Sequence, residues 1–278
     1  MFQGNNPTLR EDVFRQAVSA PSWAELDATA KRANTMTIQG TAIKTLVLLA
    51  ISAITGVLAF NYLWSAVIAG TRGLPANTFP IMLGAMLGGL ALALVMSFKP
   101  MTARFLAVPY AALQGAFIGA LSLFIPLQFL GGRPNFDPNV IGTLVFQAAG
   151  LTFAIAFALG AIYSTGLVRI GGTAMKFLFA AVAGVALYAV AIMVCNGLLG
   201  MNIPNLWASA SPLGIGFSAL MVGLASFTLL ATYQQVDDLS KGGVPKQMEW
   251  YGAFAILVEL LWLYIEVLRL LAKLKSRE

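Results

Sequence analysis

The sequence predicts an all-α fold: a polytopic membrane protein with seven transmembrane helices. Of the 278 residues, 59% are apolar and only 10% are charged, whereas a soluble surface needs roughly a quarter charged. Seven apolar segments each approach the ~20 residues that a spanning helix requires. These runs are solidly apolar rather than alternating, which argues against barrel strands. The length suits one domain.

A polar arm of mixed charge, residues 1–41, comes first and has no apolar stretch near its start, so it reads as an arm and not as a signal peptide. The seven segments follow at 42–64, 80–98, 105–129, 140–163, 177–199, 213–233 and 251–271. Together they form a transmembrane domain over 42–272, with a short basic tail at 273–278. Gly and Pro mark the connections, as at Gly73 and Pro75, Gly131 to Pro138, and Met201 to Pro204.

The arm and the even-numbered connections hold Arg10, Arg15, Lys31, Arg32, Lys44, Lys99, Arg104, Arg169, Lys176, Lys241 and Lys246; the other connections hold only Arg72 and Arg133. This excess predicts a cytoplasmic N-terminus. Seven crossings then put Lys273, Lys275 and Arg277 on the far side, against the same rule. Two readings stand. Either the tail is tolerated there, or the last segment re-enters without crossing, which is allowed where protein surrounds it.

The net charge of +6 comes with no basic run and no aromatic-basic platform, so no nucleic-acid partner is expected. Histidine is absent, which excludes His-dependent triads and His-ligated haem or zinc. Cys195 is the one cysteine and forms no internal disulfide. Glycines recur within the segments at Gly84, Gly88, Gly89, Gly115, Gly119, Gly150 and Gly160. Gly115 and Gly119 form a small-xxx-small pair, used either for tight packing inside the bundle or for an oligomer interface.

The last segment carries two carboxylates where a lipid-spanning helix should carry none. Glu259 lies roughly 12 Å into it, close to mid-membrane, where an ionisable group is costly and normally faces a bundle interior or a water-filled path. Glu266 is seven residues on, about 20° around and ~10.5 Å along the same stripe. Arg269 is three beyond Glu266, in reach of an intrahelical ion pair. For Glu259 two uses remain: a hydrogen-bonded neutral carboxyl, or a titrating group on an ion or proton path. A second polar cluster ends the sixth segment, with Gln234, Gln235, Asp237 and Asp238. Its oxygens suit a hard cation such as Ca²⁺, although the alternating acids and glycine of an EF-hand loop are missing. The blander use is a solvated helix end. Asn61, Gln114, Gln147 and Asn196 are the other polar residues within the segments, suited to hydrogen bonds across helices. Gln114, beside Gly115, is also a candidate to line a cavity.

Several chemistries are excluded. No lysine sits inside the last segment for a retinal Schiff base, no segment interior contains the paired aspartates of an intramembrane protease, and no Gly-x-x-x-x-Gly-Lys loop is present. No catalytic residue is read, and the chain is not expected to be an enzyme.

Four stretches carry a family resemblance. They are Asn6-Pro7, Met36-Thr-Ile-Gln-Gly-Thr-Ala-Ile-Lys-Thr45, Tyr110-Ala-Ala-Leu-Gln-Gly-Ala-Phe-Ile-Gly119 and Trp262-Leu-Tyr-Ile-Glu-Val-Leu-Arg-Leu-Leu271. With the seven-helix count, they resemble the Bax inhibitor-1 family, in a bacterial branch. The resemblance implies six helices around a central seventh, a bacterial inner membrane, and a pH-sensitive Ca²⁺ leak. It also implies a latch between an aspartate ending helix six and another in helix seven, with a basic residue near the end of helix two. By position the latch falls on Glu259 and Gln234, with Asp237 one turn later and Asp238 beside it; Lys99 is the candidate cation. Glu266, Arg269 and Gln114 would support the gate. Ca²⁺, as permeant or bound ion, would meet Glu259 and Asp237, and no other cofactor is expected. With Gln at the second latch position, one carboxyl titrates where two would share a proton, so one simple transition is expected. Two other functions remain open: a regulator that binds a membrane protease or other complex through the arm and Trp23, and a proton-coupled transporter that uses Glu259.

Overall fold

The computed structural model describes residues 34–68, 78–132, 137–166, 168–201 and 203–278. Seven long helices account for nearly all of them: α1 (Ile38–Ile68), α2 (Thr78–Phe98), α3 (Ala103–Leu130), α4 (Asn139–Ser164), α5 (Gly172–Met193), α6 (Pro212–Lys241) and α7 (Met248–Lys275). By length and composition α1 to α6 can each cross a membrane. The outer faces are apolar: Phe98, Phe146 and Phe157 are 82%, 82% and 81% exposed. Such surfaces need lipid, not water.

Local signals set the ends. Ser211 caps α6 by accepting from the Gly214 N–H at 3.2 Å, with Pro212 in the first turn. A short 3₁₀ turn at Pro100–Thr102 links α2 to α3. After α5 the chain widens into an i→i+5 turn, with Leu199 N–H donating to the Val194 carbonyl at 3.1 Å. Before α1, Thr35 bridges Pro245 and the Met36 N–H donates to the Val244 carbonyl at 2.8 Å. The α6–α7 link is thereby tied to the entry of α1. The arm at 1–33, with Trp23, lies outside the described residues.

Helix α7 is the axis of the fold. It packs directly on α1, α3, α4 and α6, while α2 leans on α3 and α5 on α6. Leu257, Leu263, Leu268 and Ala272 along it are fully buried. At its first turn Glu249 meets Thr37 and Lys44, at the start of α1. At its last turn Lys273 meets Gly214 and Ser218, at the start of α6. With six alternating helices those are opposite ends of the bundle, so α7 runs its full depth and is not a re-entrant stub.

Gly115 and Gly119 pack within the bundle. A Cβ on Gly119 would strike the Gly56 carbonyl, and one on Gly115 the Ser52 backbone and the Thr55 hydroxyl. Helices α1 and α3 therefore cross backbone to backbone. Gly84 and Gly150 meet open space instead.

Candidate functional site

Glu259 sits ~16 Å along α7 from its first residue. It lines a cavity of about 630 Å³ walled by α2, α3, α5, α6 and α7. The cavity forms because neither α2 nor α5 packs closely on α7. On α6, Thr228, Ala231, Thr232 and Gln235 face it, the i, i+3, i+4, i+7 stripe of one helical face. Gln114 reaches it from α3 and lies against Gly89, where a Cβ would come within 2.6 Å of the Gln114 amide nitrogen. The cavity extends from Glu259 and Thr228 toward Ser97 and Gln235, at the end where α2 and α6 finish. In the other direction Leu229, Leu263 and Val267 fill the bundle core.

The Glu259 carboxyl shares this cavity with the Thr228 hydroxyl of α6. The Thr228 hydroxyl already donates its single hydrogen to the Ala225 carbonyl at 2.9 Å. The second Glu259 oxygen, Oε2, is buried and has no partner among the described residues. This geometry suits a neutral carboxyl that donates to Thr228, and leaves an ionised one short of donors.

The positions assigned to the latch have other employment. The Gln234 amide clamps the α4–α5 connection, accepting from the Ile170 N–H at 2.8 Å and donating to the Ile170 carbonyl at 3.0 Å. Gln234 is therefore not available to Glu259, and the polar α6 side chains that share the Glu259 cavity are Thr228, Thr232 and Gln235. Asp237 faces a different cavity, of about 470 Å³. There it accepts from the Tyr163 hydroxyl at 2.7 Å and from Lys241 at 2.5 Å. Asp238 and Lys99 are exposed. Glu259 and Asp237 thus line separate cavities, and no group of three metal-binding acids, Cys or His occurs among the described residues. Glu266 is buried, and its two oxygens accept from Arg269 at 2.8 Å each. Asn196 repeats the clamp of Gln234, exchanging two 2.9 Å bonds with the Ile203 backbone. Asn61 and Gln147 are exposed on the bundle surface.

Two buried charges escape a reading from sequence. Glu249 is 0% exposed; it accepts from the Thr37 N–H at 3.1 Å and the Thr37 hydroxyl at 2.9 Å, and pairs with Lys44. Lys273, counted with the tail, is 0% exposed inside α7. Its ammonium donates to the Leu206 carbonyl at 2.7 Å, the Gly214 carbonyl at 2.9 Å and the Ser218 hydroxyl at 2.8 Å. Three donors meet three acceptors. The cavity-facing Thr228 also escapes it, though its seven-residue spacing from Gln235, in the polar cluster that ends the sixth segment, was the available signal.

No curated protein and no solved structure matches the chain. A family model described as Bax inhibitor 1 like matches residues 6–276. The match takes in all seven helices and both cavities at the α6–α7 pair, and the chain belongs to the Bax inhibitor-1-like family.

Proposed function

We propose that the chain is a cation permeation pathway, passing Ca²⁺ and gated by protonation of Glu259, and not an enzyme. The observation that carries the proposal is the buried Glu259 carboxyl with an unpartnered oxygen at the inner end of a polar-flanked cavity. When neutral, the carboxyl donates to Thr228 and the apolar core beyond it stays shut. When ionised, it lacks donors, and water or a cation in the cavity is the available partner. Gln114, Thr232 and Gln235 offer oxygens along the way to a hard cation. A single titrating group gives one transition, with more flux as the carboxyl ionises.

The test is Ca²⁺ flux into dye-loaded liposomes across neutral pH, wild type against Glu259→Gln. The expected result is one pH transition in the wild type and its loss in the variant. Unchanged flux with an unchanged pH response rejects the proposal. The cavity volume of about 630 Å³ also favours a second reading, a proton-coupled transporter of a small solute. In that case the variant would lose proton uptake in step with solute and show no Ca²⁺ conductance to lose.

A further inference from the structure

Three cations from three separate elements converge at the end of the bundle where α1 and α7 begin. Lys44 comes from α1, Arg104 from the first turn of α3, and Lys246 from the α6–α7 link; they share a pocket of about 530 Å³ with Trp250. Two of the cations are steadied by rings: the Lys44 ammonium lies 5.5 Å from the Trp250 centroid, and the Arg104 guanidinium 4.3 Å from that of Phe105. Among the described residues no acid lines the pocket. Glu249 lies behind Lys44, fully buried and satisfied by Lys44 and Thr37. Among the described residues the balance is three positive charges against one negative, in a cleft with room for an anion. The positive ends of α3 and α7 add to the same field.

What lies beneath the pocket identifies the anion. One turn deeper on the same stripes are Val47, three residues beyond Lys44, and Val108, four beyond Arg104. They are 44% and 39% exposed, and Phe105 is 66% exposed. Exposed apolar side chains therefore lie at or one turn beyond two of the pocket's cations, on the outer surface of α1 and α3. A basic cleft with a Trp at its rim, above a lipid-facing wall, matches the amphipathic order of a phospholipid.

We propose that this pocket binds the phosphate of an anionic phospholipid headgroup, with the acyl chains along Val47, Phe105 and Val108. The experiment is native mass spectrometry of the full-length protein released from detergent micelles, titrated with phosphatidylglycerol, phosphatidylcholine or inorganic phosphate. Wild type is expected to retain phosphatidylglycerol in preference to phosphatidylcholine. Arg104→Gln with Lys246→Gln is expected to weaken that retention by about 30-fold, at roughly one unit charge each, and either change alone by about 5-fold. Lys176→Gln removes a cation outside the pocket at the same end of the bundle and is expected to leave retention unchanged. Equal retention of the two lipids, or no loss in the double variant, overturns the proposal. Displacement of phosphatidylglycerol by inorganic phosphate overturns the lipid assignment in favour of a free-anion site. Should the double variant fail to fold, the two single variants decide.

Discussion

At the scale of single residues, the two ends of α7 are fixed by buried charges that are fully partnered. Lys273 places its ammonium among two backbone carbonyls and one hydroxyl. Lys273→Met fits the volume but strands acceptors in the apolar interior, at a cost of about 1–3 kcal/mol. The expected result is a lower unfolding temperature in detergent, followed by tryptophan fluorescence. Lys273→Arg is not expected to rescue it, because a planar guanidinium cannot point its donors at three acceptors arranged around a point charge. Glu249→Gln leaves Lys44, whose side chain is 20% exposed, without its counter-charge. Breaking a buried pair costs about 3–5 kcal/mol, and the partial exposure of Lys44 places this one toward about 2–3 kcal/mol. Neither residue is conspicuous in the sequence. An acid in a first helical turn and a lysine near a C-terminus both read as solvent-facing dipole partners. The contacts that show otherwise join Glu249 to a residue 205 positions away and Lys273 to one 67 positions away.

At the scale of elements, the α1–α3 crossing and the clamped α4–α5 connection frame the cavity. Gly119→Val sets a branched side chain against the Gly56 carbonyl, and the helices must separate. Overpacking of this kind costs typically about 1–3 kcal/mol. Gly84→Ala, which meets open space, is expected to be neutral in the same thermal assay. The small-xxx-small spacing was legible in the sequence, but its partner was not: only the fold shows that Gly56 takes the surface another subunit would need. Gln234 has the same history. The family resemblance, carried over by position, offered it as the gate's second member, yet its two bonds go to Ile170. Gln234→Ala is therefore expected to speed tryptic cleavage at Arg169 while leaving the pH dependence of Ca²⁺ flux in place. Loss of that dependence with cleavage unchanged would return Gln234 to the gate.

At the scale of the whole molecule, the fold class and the seven segments were legible because a membrane helix must be apolar along its length. Glu259 stood out because that rule makes an interior acid an exception. Thr228, which shares its cavity, did not, since the face a helix turns inward is set by neighbours that hydropathy does not name. The charge conflict at the C-terminus turns on the same point. Counted as surface, Lys273, Lys275 and Arg277 oppose a seventh crossing. In the fold Lys273 is buried and satisfied, and Lys275 pairs with Glu278. Of these three, only Arg277 has no side-chain hydrogen bond or ion pair among the described residues, too weak a signal to hold the tail on the side where α1 starts. The depth of α7, from Thr37 and Lys44 at one end to Gly214 and Ser218 at the other, requires the tail to emerge opposite the start of α1. With Cys195 replaced by Ala, single cysteines at Ser240 and Ser276 should react with a membrane-impermeant maleimide from opposite faces of sealed vesicles. Ser240 should label from the cytoplasmic face and Ser276 from the other. Labelling of both from one face would mean that α7 does not cross, and the buried lysine would then need a different explanation.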